Sequence, residues 1–382
     1  MKEDILRQGY DNLPTIDEKA NEPSVRFRRS KIVLINLILC LVALLLPCVG
    51  AEWLLRRSSP ISDTPNLFAR SDTEYEWLGF PNMSGTYAGA RVKFNDRGLR
   101  DPDRASIPPT GKTRIAVLGD SVAFGQGVAE ADAFPRVTEA LLNAMEPNGR
   151  NKVEILNMGI PGYNTLHELG LLRDLGLTLH PDIVVLAFMY NDTELTERQQ
   201  AKRHRVATTA STLESGTETA GILSGLKQDF NLELRTLKKR SLFIAWASPR
   251  VGVLLRRLGL KGFGQQNEDN DRFVAENADW QIVQDALRDM KRECDARQIK
   301  FVLTVIPGMA KFNDRDYPLK GYHAALKSFC RSNDIDCLDP LDNFWGRDGT
   351  AMWVTPTDGH PNAEGHKIIA GALAHRLMAL LP

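Results

Sequence analysis

The chain has 382 residues, 43% hydrophobic and 25% charged, and its 48 basic and 48 acidic residues leave no formal net charge. This is the composition of an ordinary folded protein with room for one large domain or two modest ones, and it gives no sign of a nucleic-acid partner. The five cysteines form no CxxC pair or Cys/His cluster, so we expect neither a metal nor another cofactor. Cys330 and Cys337 could pair in an oxidising compartment, but two buried thiols is the interpretation we favour.

Residues 32–51 form an almost continuous apolar segment, about as long as a bilayer core requires. Basic residues flank it, with Arg26, Arg28, Arg29 and Lys31 before it and Arg56 and Arg57 after it. The excess on the amino-terminal side predicts a cytoplasmic N-terminus and a periplasmic or extracellular location for the rest of the chain. A cleaved signal peptide has a shorter leader and a shorter apolar core, so we predict an uncleaved transmembrane anchor. Residues 1–31 are then a polar, disordered cytoplasmic leader.

After the apolar segment, residues 52–111 are predicted to form a tether and a small β-rich lead-in that contains several turn signals. From residue 112 to 382, strand and helix patterns alternate. The predicted strands lie at 114–119, 153–157, 182–188, 300–306 and 335–338, and the predicted helices at about 134–146, 165–175, 278–297, 319–332 and 362–380. Nearly continuous apolar runs are typical of strands buried on both faces. The alternation therefore predicts an α/β domain with a parallel sheet between helices.

One stretch interrupts this alternation, because residues 195–275 are far longer than an ordinary connection between a strand and a helix. Residues 241–260 within it are apolar with embedded arginines. They could form a lid or a helix on an anionic membrane surface. The interpretation that we favour is a helical insertion that packs its own apolar face on the core.

The most informative residue is Ser121, which follows the first predicted strand in the run RIAVLGDSV. Open parallel sheets place their sites at the carboxyl edge, where this hydroxyl would lie. A serine becomes a nucleophile only if a base takes its proton and donors stabilise the oxyanion. Candidates for both follow later elements: Gly162 in NMGIPG, Asn191 in the pair Asn191-Asp192, and Asp358 and His360 in the sequence DGHPN.

These segments resemble, in their residues and their order, the sequence blocks of the SGNH (GDSL) hydrolase family. The resemblance covers residues 112–382 apart from the insertion, and it implies a flavodoxin-like three-layer fold. It implies that Ser121 is the nucleophile, that His360 is the general base and that Asp358 orients the histidine. It further implies an oxyanion hole made of the N–H groups of Ser121 and Gly162 and the side-chain amide of Asn191.

Two positions depart from the family pattern. The third block usually has glycine two residues before the asparagine, where this chain has Met189. The acid usually stands three residues before the histidine, where this chain has Thr357, so Asp358 is only two residues from His360. The first departure could reshape the pocket, and the second shortens the spacing between the predicted acid and the predicted base by one residue.

Some of these residues also have structural interpretations. Ser121 could simply cap a helix, Gly162 could be only a turn glycine, and Asn191 could belong to an ordinary turn. His366 competes with His360 as the base, but it falls within the last helical pattern and is expected to be structural. Asp120, which precedes Ser121, is expected to make structural hydrogen bonds.

The sequence thus favours a membrane-tethered serine esterase that cleaves or transfers an O-acyl group through an acyl-enzyme. An envelope or secreted carbohydrate is the expected substrate, because the domain is predicted to lie outside the cytoplasm. The alternatives are a lysophospholipase or thioesterase at the membrane surface, or a non-catalytic module that binds polysaccharide.

Overall fold

The computed structural model describes residues 25–58, 63–145, 152–196, 198–201, 272–310, 312 and 317–382, in two units that meet in sequence at residues 58 and 59. The first unit contains helix α1, Val25–Ser58. Its segment Val33–Leu54 has 22 residues and a mean hydropathy of 2.8, and is long and apolar enough to cross a membrane by length and composition. Most of the predicted leader lies outside the described residues.

The second unit begins with the predicted β-rich lead-in, which consists of two antiparallel hairpins. Their strands are β1 (Phe68–Arg70), β2 (Trp77–Gly79), β3 (Ser84–Tyr87) and β4 (Ala90–Lys93). Phe68 and Phe94 pack edge to face, and both lie against the ring of Phe124 from the following α/β domain. The lead-in is therefore joined to that domain by an aromatic cluster.

A five-stranded parallel sheet forms the centre of this unit, as the sequence predicts. Its strands are β5 (Lys112–Gly119), β6 (Lys152–Gly159), β7 (Ile183–Phe188), β8 (Lys300–Val305) and β9 (Asp336–Leu338), in the order β6-β5-β7-β8-β9. All residues of β7 are buried, in agreement with its continuous apolar sequence. The order 2-1-3-4-5 is that of a flavodoxin-like sheet. The winding direction reverses beside β5, which opens a crevice at the carboxyl edge of the sheet there.

Helices flank the sheet, and all except the first, which has four residues, lie at the positions that the sequence predicts. They are α2 (Ser121–Phe124), α3 (Phe134–Met145), α4 (Thr165–Leu171), α5 (Ala278–Asp295), α6 (Lys320–Ser332) and α7 (Ala363–Met378). The helix predicted over 165–175 is α-helical only to its seventh residue and continues as a π-helical turn, Leu172–Gly176. The predicted insertion at about 195–275, including residues 241–260, lies outside the described residues except at its two ends.

The segment before α7, where the sequence predicts no strand, contains two. It forms an antiparallel hairpin of β10 (Trp353–Thr355) and β11 (Asp358–Pro361), with a register shift between the two paired positions. The hairpin fixes the backbone of a segment that a loop would have left free to move. Both ionisable side chains of the DGHPN sequence therefore project from a short strand.

Cys330 and Cys337, for which the sequence leaves a disulfide open, are free thiols in the structure. They are hydrogen-bonded to each other, which together with burial raises the pKa of Cys330. The same hydrogen bond lowers the pKa of Cys337.

Candidate active site

Ser121 lies at the carboxyl end of β5, as the first residue of the short helix α2. The cap of this helix is Asp120, whose side chain accepts the Val122 N–H at 2.8 Å, so capping is not the role of the serine. The helix lies very close to β6, because a Cβ on Gly159 would stand 2.3 Å from the backbone nitrogen of Phe124. Glycine at this position lets the turn after β5 press against the neighbouring strand.

His360 joins Ser121 to Asp358 through its two ring nitrogens. Nε2 lies 2.8 Å from the Ser121 Oγ, and Nδ1 lies 2.5 Å from the Asp358 Oδ1. A carboxylate only accepts hydrogen bonds, so Nδ1 carries the proton and Nε2 is left to accept the serine O–H. The three side chains therefore form a chain of hydrogen bonds along which a base can take the hydroxyl proton.

The short spacing between Asp358 and His360 works because both residues belong to the β10–β11 hairpin. The Asp358 Oδ1 accepts the His360 backbone N–H at 3.1 Å as well as the ring N–H. The Asp358 backbone N–H in turn donates to the Thr355 Oγ1 at 3.0 Å. These bonds let a carboxylate two residues before the histidine face its ring.

Asp358 and His360 each stabilise the charged form of the other. Burial alone would lower the pKa of His360, but the hydrogen bond and the charge of Asp358 raise it above its ordinary value. Burial would likewise raise the pKa of Asp358, but the hydrogen bond and the charge of His360 hold it below its ordinary value. Asp358 is therefore a carboxylate at neutral pH, as a partner of a forming imidazolium must be.

Gln126 is a member of the site that no sequence motif indicated. Its Nε2 lies 3.3 Å from the Asp358 Oδ2 and 3.1 Å from the His360 Nδ1. Since Nδ1 already carries a proton, the amide N–H donates to the carboxylate. The Gln126 backbone N–H donates to the Ser121 carbonyl at 3.0 Å, so the turn that follows the serine also holds the acid.

Gly162 occupies the turn after β6. Its φ of +82° and the bond from the Tyr163 N–H to the Ile160 oxygen, at 3.2 Å, are the features of a type II turn with Pro161 at the second position. The third position of such a turn requires a positive φ, which glycine adopts without strain. The turn geometry alone therefore accounts for glycine at position 162, independently of any role of the Gly162 N–H.

Asn191 follows β7, and its side chain reaches the residue before the serine. Its Nδ2 donates to the Asp120 Oδ2 at 3.1 Å, and the Ser121 Oγ lies 3.4 Å from the same oxygen. One N–H of the amide is thereby fixed, which sets the direction of the other. Burial raises the pKa of Asp120. The structural hydrogen bonds expected for Asp120 are present, and one of them orients Asn191.

Met189 stands where related sequences have glycine, and its backbone is extended, with φ −116° and ψ 157°. Any residue adopts this conformation, so the turn into Asn191 does not need glycine here. The Met189 N–H donates to the Asp192 Oδ2 at 2.9 Å, and its side chain packs against the core.

His366 lies within α7 and is fully buried. Its Nδ1 accepts the Phe134 backbone N–H at 3.2 Å, and burial lowers its pKa to about 3. It is therefore neutral at physiological pH and serves the packing of α7 against α3. Across the parts of the chain that the structure describes, no three His, Cys, Asp or Glu side chains form a group that could hold a metal ion.

Comparison with known proteins identifies a family to which most of the α/β domain is similar. The sequence model of the GDSL-like Lipase/Acylhydrolase family matches residues 117–368. No curated protein matches the chain.

Several solved structures are similar to it at low sequence identity. LAE5, an alpha/beta hydrolase enzyme from the metagenome of Lake Arreo, Spain, is 12% identical, with 71% of this chain and 97% of that chain covered and a TM-score of 0.40. TesA is 14% identical, with 70% and 100% covered and a TM-score of 0.39. Axe2, an acetylxylan esterase from Geobacillus stearothermophilus, is 12% identical, with 69% and 94% covered and a TM-score of 0.38. Because the family match spans most of the α/β domain, the chain belongs to the GDSL-like lipase/acylhydrolase family.

Proposed function

We propose that this acylhydrolase is a membrane-tethered serine esterase that removes or transfers an O-acyl group through an acyl-enzyme on Ser121. The observation that carries the proposal is the pair of hydrogen bonds made by His360, 2.8 Å to the Ser121 Oγ and 2.5 Å to the Asp358 Oδ1. A non-catalytic binding module would have no use for a serine, a base and an acid in this order.

In the proposed mechanism, the Ser121 Oγ attacks the ester carbonyl carbon while His360 Nε2 takes the hydroxyl proton. The resulting imidazolium is stabilised by Asp358 and later gives its proton to the leaving alcohol. Water or a second alcohol, activated by the same histidine, then attacks the acyl-enzyme. With water the outcome is hydrolysis, and with a sugar hydroxyl it is acyl transfer.

The tetrahedral intermediate carries a negative oxygen that needs aimed donors. We propose three: the Ser121 N–H, which has no partner within α2 because it is the first residue of the helix, the Gly162 N–H, and the second N–H of the Asn191 amide. They follow the carboxyl ends of β5, β6 and β7, three adjacent strands of the sheet. Adjacency of the strands is what lets backbone and side-chain donors converge on one carbonyl oxygen.

The proposed location rests on α1 and the charges around it. In this proposal residues 32–51 span the membrane, the leader at 1–31 is cytoplasmic, and residues 52–111 connect the anchor to the catalytic domain at 112–382. The domain then lies in the periplasm or outside the cell, where O-acylated envelope or secreted carbohydrate is within its reach. The substrate class follows from this topology and not from the geometry of the triad.

The proposal is tested with the full chain purified in a mild detergent. We expect it to release 4-nitrophenol from the acetyl ester faster than from the decanoyl ester, with an initial burst equal to the enzyme concentration. A fluorophosphonate probe should label Ser121 at the same stoichiometry, measured by mass spectrometry of the peptide. O-acetylated oligosaccharides and lysophosphatidylcholine are compared as substrates, with and without an added sugar acceptor.

Each outcome of this experiment has a clear meaning. Release of fatty acid from lysophosphatidylcholine in preference to acetate from carbohydrate would replace the proposed substrate by the lipid alternative. A serine that does not react with the probe, in a chain without esterase activity, would favour the binding module. Transfer of the acetyl group to the added sugar would show which of the two acyl-enzyme fates prevails.

The pH dependence of kcat/KM reports on the pair Asp358–His360. The reaction needs neutral His360, whose pKa is raised by Asp358, so we expect activity to fall with decreasing pH with a midpoint above the ordinary value of about 6.5. Asp358→Asn removes the charge that raises this pKa, so the remaining activity should have a lower midpoint. A pH series from about 5 to 9 with both proteins is the measurement. An unchanged midpoint in the variant would contradict the pairing.

A further inference from the structure

We propose that Trp77, in the lead-in, is a positioning residue that fixes the direction of the Gly162 N–H, one of the three oxyanion donors of the proposed esterase. This inference rests on the proposed function and adds a role for a segment outside the family match, which begins at residue 117. It starts from one hydrogen bond, in which the Trp77 Nε1–H donates to the Pro161 carbonyl oxygen at 3.2 Å.

The Pro161 carbonyl and the Gly162 N–H belong to the same peptide group. Because a peptide group is planar, its C=O and N–H point in opposite directions and turn together. A group that holds the carbonyl therefore also sets the direction of the N–H. The hydrogen bond to the carbonyl further polarises the peptide, which strengthens its N–H as a donor.

The turn by itself does not fix this peptide. Type I and type II turns differ mainly in the orientation of their central peptide, and the third position distinguishes them by the sign of φ. Glycine accepts either sign at little cost, so Gly162 permits both orientations although it adopts +82° here. In the type I orientation the N–H would point away from its present direction. Gly162 therefore does not exclude the type I orientation, and a hydrogen bond to the central peptide adds to the preference for the observed one.

Trp77 is well placed to make that selection because it is held from several sides. Its ring packs edge to face on Tyr163, with centroids 5.3 Å apart, and lies 4.8 Å from the ring of His167. The Tyr163 hydroxyl donates to the Trp77 backbone oxygen, so β2 and the turn exchange two hydrogen bonds. The indole carbon Cζ2 also lies 3.4 Å from where a Cβ of Gly162 would stand.

The histidine that packs against Trp77 and Tyr163 is uncharged at neutral pH, although the Glu76 Oε1 lies 3.5 Å from its Nε2. Burial lowers the pKa of His167 to about 4, so its ring stacks on Tyr163 as a neutral imidazole. His167 also caps the turn into α4, where its Nδ1 accepts the Asn164 N–H at 3.2 Å. The lead-in strand, the turn and the start of α4 thus form one rigid support for the peptide.

The test removes the indole N–H and leaves the aromatic contact in place. In the full chain in detergent we compare Trp77→Phe and a variant with 3-benzothienylalanine at position 77, in which sulfur replaces the N–H. We expect kcat for an acetyl ester, per site labelled by fluorophosphonate, to fall about 10- to 100-fold, because one oxyanion donor is worth roughly 10²–10³. KM should change little, since the contact acts in the transition state. The inhibition constant of a trifluoromethyl ketone, which forms a tetrahedral oxyanion on Ser121, should rise by a similar factor.

Trp345→Phe is the matched control, because that indole also donates one hydrogen bond, to the Asp342 Oδ1 at 3.0 Å, and has no role in the proposed site. The inference is overturned if the Trp77 variants match the Trp345 variant in kcat and in ketone affinity. A drop in labelled fraction alone, with normal kcat per labelled site, would also overturn it and leave Trp77 a folding residue. If the wild-type chain neither hydrolyses esters nor labels at Ser121, the proposed function itself has failed and this inference fails with it.

Discussion

Ser121→Ala is expected to lower kcat for ester hydrolysis by about 10⁶-fold, because the nucleophile and its proton-transfer partner act as a unit. For the same reason, His360→Ala should cost a similar factor, and the double variant should cost no more than either single one. Asp358→Asn should cost about 10⁴-fold, since an amide can hold the ring in the wrong tautomer. Burst and steady-state rates of 4-nitrophenol release from the full chain in detergent measure all four proteins.

Thr357→Ala is the control for this series, because Thr357 occupies the position three residues before His360 where related sequences have their acid. Its Oγ1 lies 3.2 Å from the Thr355 Oγ1, so it belongs to the hairpin, and a hydroxyl cannot supply the negative charge that Asp358 provides. We expect wild-type activity from this variant. Equal losses in the Thr357 and Asp358 variants would show that the hairpin as a whole, and not the carboxylate, supports the histidine. Effects of the serine and histidine variants that multiply in the double variant would contradict a shared proton transfer.

Much of the fold was predictable because the signal is local. The strand Ile183–Phe188 is apolar throughout since both of its faces are covered by helices, and such a run differs from every amphipathic segment of the chain. Once alternating strands and helices are recognised, the parallel arrangement follows from the length of the connections. The hairpin of β10 and β11 was not predicted, because each strand has only three or four residues and a Pro356-Thr357 turn that reads as a loop.

The residues of the candidate site could be predicted where the chemistry allows few residue types. They were harder to predict where a residue's role depends on its position in the folded chain. Ser121 and His360 could be selected because few residue types can serve as nucleophile and base, and both follow predicted elements. The sequence spacing does not by itself decide whether the Asp358 carboxylate faces the His360 ring, because that depends on the backbone between the two residues. Here the backbone forms a hairpin in which the Asp358 Oδ1 also accepts the His360 backbone N–H. The roles of Gln126 and Trp77 could not be predicted from the sequence. An amide or an indole acts in a site through the group to which it donates a hydrogen bond, and for Trp77 that group lies 84 residues away in the chain.

The second large effect that we expect is on stability, at Arg100. This guanidinium is fully buried, faces the ring of Phe124 at 5.0 Å and donates to four backbone carbonyl oxygens, those of Arg91, Phe124, Gly125 and Val128. Burial lowers its pKa to about 10, so it stays charged at neutral pH. Three of the carbonyls belong to the last residue of α2 and the turn that follows it, and the fourth belongs to β4 of the lead-in. Arg100 therefore ties the lead-in to the helix that begins with Ser121.

Arg100→Met should lower the free energy of unfolding by about 3 kcal/mol, because bonds to a charged donor contribute roughly 1.5–3 kcal/mol each, while the variant avoids the desolvation cost of burying a guanidinium, which offsets part of their loss. Urea unfolding of the full chain measures this change.

Arg114→Met is the matched control, since that guanidinium is equally buried but lies near the amino end of β5, where it pairs with Glu154 and donates to the carbonyls of Ser106 and Leu179. Both variants should be destabilised, but only Arg100→Met should also lower kcat per labelled site, because only Arg100 holds the turn that carries Gln126 beneath the acid. Equal kcat values in the two variants would show that Arg100 contributes to the stability of the lead-in and not to catalysis.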